Sequence, residues 1–523
     1  MRRLLRSRPG TYMDSIRLMS ATRRMQDVSG VEWAAAVMAT PAVLEELAGR
    51  GFAPGDLDGA TAEDLLLVVE AQTDDVARAA LTAAEEALDA ELAPAASSRS
   101  VADRRPRTLR DALTALPGAN LALISVPGPY AALEAGKALS AGLHVLLFSD
   151  NVPLEAEVEL KARAAKLGLL VMGPGAGTAM LGGTGLGFAN VVTQGRVGIV
   201  AASGTGAQEV MCLLDRWGAG ISHVIGVGGR DLSIDVGGRM ASLGLGALSD
   251  DKDTEVVVLI SKPPAPEVAR SLLGQGRRDK PVVAALLGLG RAVVERGEEP
   301  PLRDVSACRS LEGAAVSAVR LLGLPTPQLG GGLAARAAAA MSSLNGHRHT
   351  LRGLFSGGTL CQEAMLLLHP HLGALHSNVP LRPDWRLPPP AGANVLLDLG
   401  EEEFTRGRPH PMIDPAGRVQ HLLEAARQPS TAVILLDVVL GHGSHPDPAG
   451  VLAPVCREIV ERGDGPTIVA YVLGTDRDPQ DYTRQRELLE GVGCLVPPTS
   501  ARAALLAGAI SARRPELAEQ EPS

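Results

Sequence analysis

Apolar residues occur in short, unbroken runs along the chain after residue 105, and each run leads into a glycine-rich or polar stretch. Runs without alternation indicate strands of a parallel sheet that is buried on both faces. Helix-forming segments, such as 130–141 and 208–217, lie between the runs. The pattern therefore predicts an α/β fold, with strands at 121–126, 144–148, 169–172, 197–201, 223–227, 256–260 and 281–287.

A second series of strands and helices begins near residue 351, after a Gly- and Ala-rich stretch at 325–345 that is predicted to be a linker with a weak helix. It is long enough for one flavodoxin-like domain. Residues 1–93 differ, because helix, strand, helix, strand and a long helix follow one another there, which predicts a small α+β unit of ferredoxin-like type. A Ser/Ala-rich linker is predicted at 94–100. The strands of the second series are predicted at 351–355, 393–397, 432–438, 467–473 and 493–496.

The composition argues against several classes of function. The net charge is −9 and no long basic stretch occurs, so nucleic-acid binding has little electrostatic support. No apolar run reaches the roughly 18 residues of a membrane span, and the arginines at 2–8 precede no apolar segment of a signal peptide. The five cysteines are far apart with no CxxC pair, which favours reduced thiols and a cytoplasmic location.

The clearest chemical motif is Ser203-Gly204-Thr205-Gly206, which follows a predicted strand and opens a predicted helix. The first amides of a helix have no partner within the helix, and glycines let an anion approach them. The alternative is a tight turn in which a hydroxyl caps the helix. The loop stands at the carboxyl end of its strand, where open α/β sheets bind their ligands.

Other strand ends have the same character. Gly441, Gly443 and Ser444 follow the strand at 432–438, and Gly357, Gly358 and Thr359 open another helix. Both turns are candidates for binding an anion or a substrate, although either also serves as an ordinary connection. Glycine clusters at 173–178 and 226–229 belong to the same set.

Two further places carry charged side chains. Arg230 follows the cluster at 226–229 and is a candidate clamp for a carboxylate, with a surface salt bridge as the alternative. A proline-stiffened loop holds Arg408, His410 and Asp414, and rigid loops of this kind position substrates. A simple crossover between strands is the alternative there.

These stretches resemble the FdrA family, within the succinyl-CoA synthetase superfamily. Residues 123–151, 171–180, 198–209 and 226–238 resemble the synthetase α subunit, and 354–363, 398–414 and 435–447 resemble the carboxyl-terminal domain of its β subunit. The resemblance implies five segments: an N-terminal α+β domain (1–93), a partial Rossmann-like CoA-binding-type domain (101–190), a flavodoxin-like domain (191–328), a linker (329–349) and a second flavodoxin-like ligase domain (350–513).

The resemblance also implies a site. In the synthetase, two helix N-termini face each other across a phosphate, and their counterparts here are 203–206 and 441–444. The synthetase histidine that carries the phosphoryl group is missing, since no histidine lies between His223 and His347. The glutamate that orients it aligns with Lys262, which would attract an anion and is otherwise a surface lysine.

The family is associated with oxamate carbamoyltransferase, in which oxalurate and phosphate give oxamate and carbamoyl phosphate during allantoin breakdown. We therefore expect a carbamoyltransferase subunit. In it, phosphate sits between the two loops, Arg230 or Arg408 holds the carboxylate, and Lys262 or His410 stabilises the developing charge. One alternative is an ADP-forming acyl-CoA synthetase that needs a partner for ATP, and another is a non-catalytic scaffold or regulatory subunit.

The expected partners are a small anionic substrate and other subunits of a hetero-oligomer. No cofactor is singled out by the sequence. Mg²⁺ is compatible with a phosphate ligand. CoA binding loses support, because the first strand and glycine loop of a CoA-binding domain are not evident before residue 121.

Overall fold

The structure is a computed structural model that describes residues 2–92 except 12, 14, 53, 54 and 56–58, residues 106–289 except 275–278, and residues 305–522 except 407. The predicted linker at 94–100 lies outside these residues. The chain divides into two compact units. The N-terminal unit comprises Met1–Arg107 with Glu402–Pro409, and the larger unit comprises Thr108–Glu401 with His410–Ser523.

The N-terminal unit is an α+β sandwich, as the sequence predicts. Its antiparallel sheet has the order β1-β3-β2. Side chains of β3 alternate between two cores: Leu65 and Leu67 face one cluster, whereas Leu66 and Val68 face the other, so both sides of the strand are covered. The elements are β1 (Arg2–Arg8), α1 (Ser15–Gln26), β2 (Val31–Met38), α2 (Pro41–Gly49), β3 (Leu65–Ala71) and α3 (Asp74–Leu92).

The first strand, β1, is absent from the sequence prediction. Four of its seven residues are arginines, and they pair with acids of the same unit, as Arg3 does with Glu70 at 2.7 Å and Arg8 with Asp89 at 2.8 Å. A charged strand of this kind suits a sheet edge, because charge there discourages pairing with other chains.

The larger unit begins with a three-stranded parallel sheet of order β4-β5-β6, flanked by helices. This part has the partial Rossmann-like character that the sequence predicts. Its elements are α4 (Leu109–Ala115), β4 (Leu121–Ile124), α5 (Gly128–Ser140), β5 (His144–Leu147), α6 (Leu154–Leu167) and β6 (Val171–Met172).

A seven-stranded sheet follows, with the order β13-β12-β11-β9-β10-β7-β8. All its pairs are parallel except β10–β7 and β7–β8. Its elements are β7 (Thr178–Leu181), β8 (Thr184–Gly187), β9 (Gln194–Ala202), α7 (Gly204–Arg216), β10 (Ile221–Gly226), α8 (Arg239–Asp250), β11 (Val256–Ser261), α9 (Pro266–Gly274), β12 (Val282–Leu286), β13 (Val305–Cys308) and α10 (Leu311–Leu321).

The last sheet is parallel throughout and has the order β15-β16-β14-β17-β18. The segment predicted as a linker contains α11 (Leu333–Ser343). The remaining elements are β14 (Thr350–Phe355), α12 (Gly358–Leu372), β15 (Leu375–His376), β16 (Asn394–Asp398), α13 (Glu402–Thr405), α14 (Ala416–Arg427), β17 (Thr431–Val439), α15 (Pro448–Glu461), β18 (Thr467–Leu473), α16 (Tyr482–Glu490) and α17 (Ser500–Ala512).

One hydrophobic core joins the seven-stranded and five-stranded sheets. Val210 of α7, Leu360 of α12 and Ala504 of α17 belong to the same buried cluster. Helices from both halves thus pack together, and this packing brings the carboxyl ends of strands from two sheets to one place. The fold is α/β with parallel sheets, as predicted, while the division into five segments stays a prediction. Among the helices of the described residues, none has the length and apolar character that crossing a bilayer requires.

Candidate functional site

The helix α7 begins directly after β9 with Ser203 as its N-cap. The Ser203 Oγ accepts a hydrogen bond from the amide of Gly206 at 3.0 Å, so the cap itself satisfies this amide. The amides of Gly204 and Thr205 have no acceptor among the described residues, as expected for the first turn of a helix. The predicted loop is therefore both a capped turn and a source of two free donors.

A second helix start, that of α12, is fixed from beneath by Asp437 of β17. The Asp437 carboxylate accepts the amides of Ser356 and Gly357 at 2.8 Å each, and Arg418 bonds to the same carboxylate at 3.0 Å. The cap residue Gly357 has no side chain to satisfy the next amides. Gly358 and the residue that follows it therefore present their amides outward.

The two helix starts face each other. The Oγ of Ser203 lies 2.6 Å from Oγ1 of Thr359. A Cβ added to Gly357 would lie 3.0 Å from Cγ2 of Thr205, so the backbones approach closely only because this position is glycine. The amides of both helices converge on one space, which favours an anion there.

That space is a cavity of about 220 Å³. Both helix starts line it, together with the predicted glycine clusters that follow β6 and β10. Its lining consists of Gly175–Thr178, Ala201–Thr205, Gly226, Gly228, Gly229, Lys262, Ser356, Gly358, Thr359, Asp398, Gly400, Glu401, His410 and Met412.

Charged side chains occupy one wall of the cavity. A Cβ on Gly358 would lie 2.2 Å from Oδ2 of Asp398 and 3.2 Å from Nζ of Lys262. A Cβ on Gly400 would lie 2.6 Å from Nε2 of His410 and 3.2 Å from the other oxygen of Asp398. Asp398 therefore stands between the lysine and the histidine, and both glycines are needed to make room for it.

Burial controls the protonation of this wall. Burial raises the pKa of Asp398 to about 7, although the nearby charge of Lys262 opposes the rise. Burial lowers the pKa of His410, with Asp437 acting in the opposite direction. Near neutral pH the carboxyl group therefore titrates, whereas the imidazole is neutral.

The tautomer of His410 follows from its neighbour. Its Nδ1 accepts the amide of Met412 at 3.2 Å, so in the neutral ring the proton is on Nε2. Since Nε2 is the atom that lies beside the cavity-lining Gly400, the ring offers the cavity a hydrogen-bond donor. The ring also stands 6.4 Å from that of Phe188, which adds an apolar neighbour.

The two arginines predicted to clamp a carboxylate are engaged elsewhere. Arg230 bonds to Oε2 of Glu157 at 2.8 Å and to the carbonyl of Val152 at 2.7 Å. Arg408 groups with the N-terminal unit, where it bonds to Glu46 at 3.1 Å. Neither arginine lines the cavity, and substrate binding by either stays a prediction.

The turn at 356–359 lies opposite 203–206 and lines the cavity, whereas the loop at 441–444 is not part of the lining. The expected pairing of 203–206 with 441–444 stays a prediction. A Cβ on Gly441 would lie 2.8 Å from the carbonyl of Ala189, and one on Gly443 would lie 2.8 Å from the ring of Phe188. This loop therefore packs on the chain that follows β8. Anion binding by Gly441, Gly443 and Ser444 stays a prediction.

Asp414, also predicted to bind substrate, is exposed and accepts the amide of Ala416 at 2.9 Å, at the start of α14. The sequence reasoning missed Asp398. Its position at the end of an apolar strand run could have indicated Asp398, because the carboxyl ends of parallel strands carry ligand sites.

Two families match the chain. The CoA-ligase family matches residues 354–510, and the family described as AllF, heavy metal-associated domain, matches residues 1–105. The uncharacterized protein YahF of Escherichia coli (strain K12) is 39% identical, over 96% of this chain and 97% of that protein.

Two curated ligase subunits match part of the chain. Subunit alpha 2 of the ADP-forming succinate–CoA ligase of Archaeoglobus fulgidus is 32% identical over 33% of this chain and 60% of its own length. The SauD subunit of the ADP-forming sulfoacetate-CoA ligase of Bilophila wadsworthia is 30% identical over 28% of this chain and 50% of its own length. The chain thus spans half to three fifths of these two subunits.

The narrower resemblance to FdrA stays a prediction. The 39% identity along nearly the whole length of YahF shows that the chain belongs to that protein's family, and the CoA-ligase match over residues 354–510 relates it to the succinyl-CoA-ligase-like proteins. This chain belongs to the family of the E. coli protein YahF, among the succinyl-CoA-ligase-like proteins.

Proposed function

We propose that this chain is the acyl-transfer subunit of an ADP-forming acyl-CoA ligase, and that its cavity carries out the exchange of an acyl group between a thioester and phosphate. The observation that carries the proposal is the pair of helix N-termini that face each other across one 220 Å³ cavity beside Lys262. The ligase subunits among the relatives favour this reaction over the carbamoyl transfer expected from the sequence.

The geometry suits phosphate as the nucleophile. Four amides, those of residues 204, 205, 358 and 359, surround the anion, and the ammonium group of Lys262 completes the site. Each helix start contributes about 0.3–1 kcal/mol toward an anion. Phosphate held in this way stands next to the wall that bears Asp398 and His410.

His410 then has a defined task. Attack of a phosphate oxygen on the acyl carbon places negative charge on the carbonyl oxygen. A preorganised donor aimed at that charge is worth more in a water-poor site than in water. The neutral His410, with its proton on Nε2, supplies such a donor without adding a full positive charge.

The nucleotide half of the reaction belongs to a partner. No histidine lies between His223 and His347, so the phosphoryl carrier expected for a ligase is not on the corresponding segment. We propose that a second subunit supplies the ATP chemistry in a cytoplasmic complex. Mg²⁺ enters as a component of the assay, since no described cluster of three or more His, Cys, Asp or Glu side chains is arranged for a metal.

The absent histidine also favours a second candidate, carbamoyl transfer from oxalurate to phosphate. That reaction is again attack by phosphate on an acyl carbon, and it needs no phosphohistidine. The N-terminal match to a domain family named for AllF is compatible with it. The two candidates differ in the transferred group and in the leaving group, which is a thiolate in the first and an amide nitrogen in the second.

Two assays with the purified chain distinguish the acyl-CoA ligase from the carbamoyltransferase. With succinyl-CoA and phosphate, with and without Mg²⁺, we expect free thiol to appear only when phosphate is present. With oxalurate and phosphate, the second candidate predicts carbamoyl phosphate instead. The chain alone is not expected to make succinyl-CoA from ATP, succinate and CoA. No phosphate-dependent product from either substrate, together with no phosphate binding by calorimetry, would rule out the proposed function.

A further inference from the structure

The carboxyl group of Asp398 is buried but open to the cavity on one side. The residue is 3% exposed. Its backbone is held by Asn378 through two hydrogen bonds of 3.0 Å, and its Oδ1 accepts the amide of Gly400 at 3.0 Å. Its Oδ2 has no donor among the described residues and lies against Gly358, which lines the cavity together with Asp398.

Titratable groups from four segments surround this carboxyl. Lys262 approaches from the end of β11 and favours the ionised form, as does the Gly400 amide. Glu401, which follows β16, and Asp437 of β17 oppose ionisation, as does burial. His410 stands on the far side, beside Gly400, and is neutral. These opposing influences leave a carboxyl group that gains and loses a proton near neutral pH.

Acyl transfer to phosphate requires the transfer of one proton. Hydrogen phosphate loses its O–H proton when its oxygen forms the bond to the acyl carbon. When the bond from that carbon to sulfur or nitrogen then breaks, the leaving atom needs a proton. A group that takes the first proton and gives it to the leaving atom balances the reaction and ends in its starting state.

We propose that Asp398 is that proton carrier, an inference that rests on the proposed function. Its Oδ2 lies against Gly358, whose amide is one of the proposed phosphate donors, so the carboxyl group is placed next to the phosphate O–H. The carboxylate accepts the proton as the new O–C bond forms, and the carboxylic acid donates it to the departing sulfur or nitrogen. His410 cannot take the first step, because its Nδ1 is occupied by the Met412 amide and its Nε2 already carries a proton.

The test compares Asp398→Asn with a matched control, Asp384→Asn, which changes an exposed carboxyl of the same half of the chain. With phosphate and either succinyl-CoA or oxalurate, we expect D398N to lower kcat by roughly 100-fold or more. Phosphate affinity, measured by calorimetry, should change less than about threefold by comparison. D384N should behave as wild type in both measurements.

A spectroscopic measurement makes the inference independent of folding effects. Infrared spectra of the full chain should contain a carboxyl band that titrates near pH 7 and is missing in D398N, and circular dichroism should show both proteins folded. If D398N keeps a turnover within about threefold of wild type, Asp398 is not the proton carrier, whereas the proposed function still stands. An Asp398 band that titrates near pH 4 would also overturn it. A wild-type chain without phosphate-dependent turnover would instead overturn the proposed function itself.

Discussion

At the scale of single residues, Lys262 decides the charge of the cavity. It stands half-buried directly after β11, next to the start of α12. No described carboxylate forms an ion pair with it, so its positive charge remains for a ligand. A lysine that meets helix N-termini is a strong attractor for an anion, since all these groups act on the same small volume.

Lys262→Met should weaken phosphate binding roughly 10- to 100-fold, because a hydrogen bond to a charged group contributes about 1.5–3 kcal/mol. Lys262→Arg should retain part of the affinity, since the charge remains. Lys252→Met, at an exposed position, is the matched control and should bind phosphate as wild type does. Calorimetry with phosphate measures all four proteins. Equal affinity in wild type and K262M would contradict the assignment of the cavity as an anion site.

The residue scale also shows what a sequence can reveal. Ser203, Gly204 and Thr205 could be chosen from the sequence because glycines and hydroxyls between a strand and a helix have a recognisable pattern. The sequence could not show which strand ends meet, because this depends on how two sheets pack. For the same reason the sequence indicates Arg230 as a carboxylate clamp, yet in the structure its guanidinium group is bonded to Glu157.

At the scale of elements, one residue ties together the two helices of the site. Glu209 of α7 accepts the amide of Ser500 at 3.2 Å, and Glu363 of α12 accepts the hydroxyl of the same serine at 2.5 Å. The start of α17 therefore links both helices behind the cavity. Burial raises the pKa of Glu209 and raises that of Glu363 to about 8.

Glu363 should make the folded chain less stable as pH rises. Between its ordinary pKa of 4.5 and the folded value of about 8, the folded chain binds more protons than the unfolded chain. The free energy of unfolding therefore falls across this window, by a few kcal/mol in order of magnitude. Glu363→Gln imitates the protonated group, so its stability should fall less than that of wild type between pH 6 and pH 8.5.

Urea midpoints at these two pH values measure the effect. Glu424→Gln, at an exposed position, should keep the wild-type dependence. Some slope should persist in E363Q, because burial also raises the pKa values of Glu209 and Glu312. An unchanged slope in E363Q would show that Glu363 is ionised in the folded chain.

Sequence patterns predict most strands of the larger unit, since continuous apolar runs are distinctive. The short strands β7, β8, β13 and β15 are absent from the sequence prediction. Of these, β7 and β8 form a glycine-containing antiparallel hairpin at the sheet edge, and β13 has only four residues. Their pairing depends on the neighbouring strand rather than on their own composition, which is a general feature of edge strands.

At the scale of the whole molecule, the N-terminal unit matches a family described as heavy metal-associated, yet residues 1–105 contain neither cysteine nor histidine. Zinc and copper sites in proteins rely mainly on these two side chains. We therefore expect this unit to bind neither metal tightly. The N-terminal unit is held together by a buried core of alanine, leucine, valine and methionine side chains.

Mass spectrometry of the intact chain after exposure to Zn²⁺ or Cu⁺ and desalting tests this expectation. Alkylation beforehand removes the contribution of accessible thiols; all five cysteines lie beyond residue 105, and four of them are buried. We expect no metal to be retained. One equivalent retained by the alkylated chain, and assigned to residues 1–105 by fragmentation of the intact protein, would contradict this expectation.

The facing turns at 203–206 and 356–359 come from two different sheets on a single polypeptide. Were those sheets separate molecules, dilution would part them, and a bound anion would lose half of its backbone donors. Covalent continuity keeps each half at a constant effective concentration relative to the other. The pocket is therefore as complete in one isolated molecule as in a crowded solution.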